Sequence, residues 1–286
     1  MPPDAVLDDT PHDPATDPAA RADLAAWHAA YAARLAAPDG WWAVAGLDWL
    51  DGGPQRLGSG ADCALRTPPG TAAHVATLTI DGDDVVVEPA APGRLWADGA
   101  PGEGEVRVAG ADLPFALGPE LDAVRFVVLR RGARRGVRTY DPRQAAARAG
   151  DGGVGWFPIE PGWSIPARFV PAEPSERVAI VNLLGDVTEV AAAGRLRFEH
   201  GGATHMLLAT RSGDRLFVNF RDATNGAATY GAGRFLTVDA PDGDHAWLDF
   251  HRAHHPPCAP TPYATCPLPP LENRLSIHVT AGERHP

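Results

Sequence analysis

Residues 194–220 read GRLRFEH-GG-ATHMLLAT-RSGD-RLFVNF, three strand-length runs separated by two tight-turn signals. Side chains on a strand point alternately to opposite faces, so such a run can bury one face only if it stays extended. The same grammar recurs along the chain. VATLTI-DGD-DVVVEP predicts a hairpin around Asp81-Gly82, and AVRFVVLRRGARRGVRTYD predicts another with its turn between Gly132 and Gly136. Further strands are expected at 164–170, 178–183, 234–239, 246–250 and 275–280. One segment breaks the pattern. Asp17-Pro18 has the form of a helix start, and Leu24, Trp27, Tyr31 and Leu35 follow at helical spacing up to Pro38. The expected fold is mainly β: an antiparallel β-sandwich or a partly open β-barrel with an N-terminal α-helix. Residues 1–17, acidic and proline-rich, read as a disordered tail, and 18–286 as a single mainly-β domain. No G-x-G-x-x-G follows a strand and no G-x-S-x-G occurs, which disfavours the dinucleotide-binding and α/β-hydrolase folds.

Charge narrows the function. The chain has 286 residues and a formal net charge of -11, which argues against nucleic acid or an anionic membrane as partner. No apolar run is long enough to span a bilayer, and the N-terminal stretch lacks the pattern of a signal peptide. A cytoplasmic protein is expected, its three cysteines reduced. All 25 basic residues are arginine. Schiff-base chemistry, a pyridoxal-phosphate anchor and a P-loop lysine are therefore excluded, and any anion must be held by arginine, histidine or backbone N–H groups. Six of the arginines lie between 125 and 138 and read as a solvated, positively charged turn.

Two stretches could carry chemistry. In NFRDATNGAATYGAGRF, residues 219–235, a glycine-rich bend is bracketed by Asp222 and Arg234, with Tyr230 and Gly233 between them. Such a bend can hold an anionic ligand through N–H groups and a guanidinium fork, or it can be braced by an Asp222–Arg234 ion pair. In WLDFHRAHHPPCAPTPYATCPLPPLENRL, residues 247–275, Asp249, His251, His254, His255, Cys258 and Cys266 crowd into a proline-laden run. Zinc accepts all three ligand types, but the spacing fits no finger, ribbon or zincin, and Pro256-Pro257 prevents a helix from presenting the ligands together.

This second stretch, together with DATNGAATYGAGRFL, resembles the family known as domain of unknown function 1684. WWAVAGLDWLDGG, GVRTYD and GWFPI are similar to its earlier blocks, so the resemblance runs from about the N-terminal helix to the C-terminus. The family carries no assigned activity. Its usual form of the strap reads Asp-Phe-Asn-Arg-Ala-Tyr-Asn-Pro-Pro-Cys, so His251, His254 and His255 stand where other residues are usual. The resemblance thus implies no metal site. It keeps Asp222, Tyr230, Gly233, Arg234, Asp249, Arg252, Cys258, Cys266, Glu272, Asn273 and Arg274.

The expectation is a small-molecule pocket between the 222–234 bend and the 249–274 strap, with no cofactor. Arg234 holds an anionic group, flanked by Gly233, Arg252, His251, Glu272 and Asn273. Asp249 or Asp222 serves as base, Tyr230 as hydrogen-bond donor and Cys258 as an alternative nucleophile activated by His251, with hydrolysis as the reaction class. A non-catalytic β-module with a structural Asp/Arg core, and a His/Cys metal-binding protein, are the competing readings.

Overall fold

Most described residues outside turns are extended, and the hydrophobic alternation of the strands sorts into two separate cores. The computed structural model describes residues 13–91, 95–97, 100–102, 104–108, 113–117 and 124–285. Its contacts divide the chain into two compact units, 1–32 with 154–259 and 265–286, and 33–153 with 260–264. The expected tail falls mostly on residues 1–12, outside the described residues. Residues 13–17 form a turn in which Asp13 is buried and accepts the Gly162 N–H at 3.1 Å. No helix among the described residues is long and apolar enough to cross a membrane.

The second unit is a sandwich. One sheet runs, in order, Val44–Trp49, Arg134–Tyr140, Arg125–Arg131, Leu113–Leu117, Leu95–Ala97 and Ala100–Gly102. The other runs Leu65–Arg66, Gln55–Gly58, Ala76–Asp81, Asp84–Pro89 and Val106–Val108, with a parallel pair at its edge. Leu57, Leu78 and Val87 from one sheet meet Phe126, Val128 and Val137 from the other. Both predicted hairpins are present. The second turns at Gly132-Ala133, where Gly132 has φ 59°, so Gly136 lies inside a strand. The arginine cluster is not simply a solvated turn. Arg135 and Arg138 are each only 5% exposed: Arg135 binds Asp83 at 2.8 Å, and the Arg138 guanidinium lies 4.8 Å from the Trp41 ring centre. Alternation put these two on covered faces, which a count of charges does not register.

The first unit opens with helix α1, Pro18–Ala36, most of which belongs to it. Its strands are β1 (Ser164–Pro171), β2 (Arg177–Val181), β3 (Val187–His200), β4 (Ala203–Ser212), β5 (Arg215–Phe220), β6 (Arg234–Val238) and β7 (His245–Asp249). The antiparallel order is β6-β5-β4-β3-β1-β7, with β2 on the far half of β3. β3 serves two neighbours because it bends at a bulge between Ala192 and Gly194. Gly194 is required there, since a Cβ would sit 2.4 Å from the Val170 carbonyl. The sheet curls into a half-barrel. The chain beyond β7 brings His254 against Phe235 of β6, with hydrogen bonds of 2.8 and 3.0 Å. Leu196, Phe198, Leu207, Leu216, Val218 and Phe250 fill the inside.

Residues 275–280, expected as a strand, form none. Leu275 and Val279 still reach the core, but the segment spends its backbone on the bend: Ala223 N–H donates to the Ile277 carbonyl at 2.8 Å.

Candidate functional site

The 222–234 bend is wired from within. Asp222 Oδ1 accepts the Thr224 N–H at 2.9 Å, the Thr224 hydroxyl at 2.6 Å and the Val279 N–H at 3.3 Å. Its Oδ2 accepts from Arg234 Nη2 at 2.8 Å, and both side chains are fully buried. Arg234 also donates to the carbonyls of Val279 (2.8 Å) and Ala281 (2.5 Å), and lies 5.4 Å from the Phe220 ring centre. Burial pulls the guanidinium below its usual pKa range, opposed by the charge of Asp222. Gly233 has φ 118°, and a Cβ would meet the Phe220 carbonyl at 2.6 Å, so glycine is needed for both conformation and space. Asp222 and Arg234 thus form the bracing ion pair, with Nη1 and Nη2 bonded to protein groups and the buried Nε without a hydrogen-bond partner.

The strap begins as a cap. Asp249 Oδ1 accepts the His251 N–H (3.1 Å) and faces His251 Nδ1 (3.0 Å), while Oδ2 accepts from Arg252 Nε at 2.9 Å. Arg252 also pairs with Asp23. The other ring nitrogen of His251 faces the Glu160 carbonyl at 3.1 Å. His255 accepts the Tyr230 N–H on Nε2 (3.1 Å) and faces Glu283 through Nδ1 (3.2 Å). Both histidines are therefore occupied away from Cys258. Glu272 pairs with Arg195 at 3.0 Å. Among the described residues no group of three or more His, Cys, Asp or Glu side chains is placed to hold a metal ion.

Glu283 makes one pH effect legible. Burial pushes its carboxyl up, but hydrogen bonds from the His255 ring and backbone N–H outweigh this and hold it below the usual range. A depressed carboxyl stabilises the fold above its unfolded pKa of about 4.3, and that contribution is lost as pH falls through the folded value. Between pH 7 and pH 3, wild type should lose more unfolding free energy than Glu283→Gln; equal losses would show that the pair contributes nothing.

Tyr230, from the bend, meets the strap at its cysteines. The Cys258 N–H donates to Cys266 Sγ at 3.2 Å, and the Cys258 sulfur is hydrogen-bonded by the Cys266 thiol and the Tyr230 hydroxyl. Those bonds bring the Cys258 thiol down to about 7 against the opposing effect of burial. Burial, then the neighbouring Cys258, pushes the Tyr230 phenol up to about 12, so it remains a donor. Cys63, Cys258 and Cys266 are all free thiols and buried.

Further along, the strap crosses the outer face of the half-barrel. Residues facing away from the core on β4 and β5, Leu208 and Phe217, are covered here, with Ile180 of β2 and Val190 of β3, by Pro267 and Pro270. Between them lies a cavity of about 140 Å³. Asn273 explains the opening. Its Oδ1 accepts the Leu208 N–H (2.6 Å), and its Nδ2 donates to the carbonyls of Leu208 and Asn219, both at 2.9 Å. The β4–β5 ladder begins only at Thr210↔Phe217, so this carboxamide stands between the strands beyond that point. Asn219 spends its Nδ2 on the Pro267 carbonyl at 2.9 Å, which leaves Oδ1 as the acceptor it can offer the cavity. Of the sequence-derived candidates only Asn273 lines this cavity. Phe217 and Asn219 carried a signal in RLFVNF, a ring and an amide on the strand face opposite Leu216, Val218 and Phe220.

No curated protein matches the chain. An uncharacterized protein from Haloarcula marismortui, solved by solution NMR, is 33% identical over 48% of this chain and 79% of its own, with a TM-score of 0.41. The Rv0020c_FHA structure is 18% identical over 34% of this chain and 96% of its own, with a TM-score of 0.21. The family model described as a protein of unknown function (DUF1684) matches residues 152–284, the part that contains the half-barrel, the bend and the strap. WWAVAGLDWLDGG and GVRTYD lie outside that match, but GWFPI and the bend and strap motifs lie within it, and the chain belongs to the DUF1684 family.

Proposed function

We propose that the half-barrel binds a compact, mainly apolar small molecule in the cavity between its outer face and the strap. The observation that carries this reading is the cavity itself, about 140 Å³ and walled by Ile180, Val190, Leu208, Phe217, Pro267 and Pro270. An apolar cavity of about 150 Å³ accommodates benzene, so the ligand is about one ring or a short alkyl chain. One donor on that ligand, a hydroxyl or N–H, is matched to Asn219 Oδ1. This moves the ligand from the bend to the other side of the strap. Asp222 and Arg234 become the structural core that positions the strap, and Asp249, Arg252, His251 and Glu272 its anchors. Hydrolysis gains no support here, because neither His251 nor His255 directs a ring nitrogen at Cys258.

The test is saturation-transfer NMR with benzyl alcohol and hexanol as probes on wild type and Val190→Phe, which places a ring inside the cavity. Wild type should bind at least one probe. The variant should lose that binding while its thermal midpoint stays level or rises. Failure of both probes, or binding that survives Val190→Phe, would contradict the proposal.

A further inference from the structure

We propose that Cys258 and Cys266, with Tyr230, form a thiol–disulfide exchange site that takes a low-molecular-weight disulfide as substrate. The inference stands on geometry separate from the cavity. Two free cysteines, eight positions apart, are brought together so that the backbone N–H of one donates to the sulfur of the other at 3.2 Å. Beside that geometry, hydrogen bonding with the Tyr230 phenol, from a different segment, is among the effects that lower the Cys258 thiol. The loop ends are held: Pro256 and Pro257 precede Cys258, Pro267 follows Cys266, and the Cys266 carbonyl accepts the Leu183 N–H at 3.0 Å. This is more than burial of two small apolar side chains requires.

The asymmetry assigns the roles. Cys258 receives donors from both Cys266 and Tyr230, which favour its thiolate, and is the attacking sulfur. An ordinary thiol, ionising near pH 8.5, is about 3% thiolate at neutral pH, whereas one at about 7 is half ionised, roughly a fifteen-fold gain. Intrinsic nucleophilicity falls as the pKa falls, and the best compromise is a pKa near ambient pH. Cys266 donates to that thiolate and becomes the resolving thiol.

The exchange balances. The Cys258 thiolate attacks one sulfur of oxidised glutathione, forming a mixed disulfide and releasing one glutathione thiolate. Cys266 then loses its proton and attacks the Cys258 sulfur, forming the Cys258–Cys266 disulfide and releasing the second glutathione. The protein dithiol is oxidised by two electrons and the glutathione disulfide is reduced by two. Tyr230, its own proton held tightly, stabilises the thiolate without leaving it.

Two measurements on the full chain test this. The rate of iodoacetamide alkylation at Cys258, read by peptide mass against pH, should have its midpoint near 7 in wild type and move upward in Tyr230→Phe. Incubation with oxidised glutathione should convert wild type to a form lighter by two hydrogens, mapped to Cys258–Cys266. In Cys266→Ser the reaction should stop with one glutathionyl group on Cys258. A wild-type midpoint in the ordinary thiol range, or wild-type protein that stays a dithiol in excess oxidised glutathione, overturns the proposal whether or not the variants fold. An adduct that forms first on Cys266 overturns the assignment of roles. Probe binding in the cavity is read separately, so either proposal can fail without the other.

Discussion

Replacing Arg234 with methionine should lower the unfolding free energy by about 3–5 kcal/mol, the usual consequence of breaking a fully buried ion pair. The cost follows from what remains. Asp222 keeps its bonds to Thr224 and to the Val279 N–H, but its Oδ2 loses its charged partner in a place with no exposure. The carbonyls of Val279 and Ala281 lose their donors as well. Arg234→Lys should recover only part of the loss, because an ammonium lacks the planar fork that reaches both a carboxylate and two carbonyls. Urea unfolding at neutral pH measures this. A loss under about 0.5 kcal/mol, the range of surface substitutions, would mean that the pair is not a structural centre.

Asn273→Ala should cost about 3 kcal/mol by a different route. Three backbone groups, the Leu208 N–H and the carbonyls of Leu208 and Asn219, depend on one carboxamide, and each buried group left unpaired costs about 1 kcal/mol or more. Asn273 is 1% exposed, so bulk water does not replace it freely. Asn273→Asp keeps the acceptor but loses both donors and should be no better. The backbone amide of Leu208 should also exchange with deuterium far faster in Asn273→Ala than in wild type, because its acceptor is gone. Unchanged exchange together with a loss below about 1 kcal/mol would show that β4 and β5 close up without the wedge.

These two residues mark what was legible in the sequence. The strands of the meander and both hairpins are readable from alternation and turn glycines, because those signals are local. The Asp222–Arg234 partnership was readable for a related reason: an arginine opening the apolar run FLTV must either face water or find an acid, and Asp222 stands just across the bend. What guanidinium nitrogens do besides binding an acid was not readable. Val279 and Ala281 supply their carbonyls from a segment whose alternation looked like a strand but whose backbone is used by the bend. Arg135 and Arg138 show the same limit, since a cluster of charge says nothing about which face each side chain occupies. The cavity was hidden for a third reason. Its walls come from β2, β3, β4, β5 and the strap, and no window of sequence contains them together.

The proposed ligand site lies between the sheet and the strap rather than beside Arg234. A titration of ¹⁵N-labelled protein with benzyl alcohol, following the side-chain amides of Asn219 and Asn273 and the Arg234 Nε–H, tests it directly. Progressive shifts of the Asn219 and Asn273 amides and of the Leu208 backbone amide are expected, with the Arg234 resonance unmoved. An Arg234 Nε–H that shifts while Asn219 and Asn273 stay in place would contradict it and return the site to the bend.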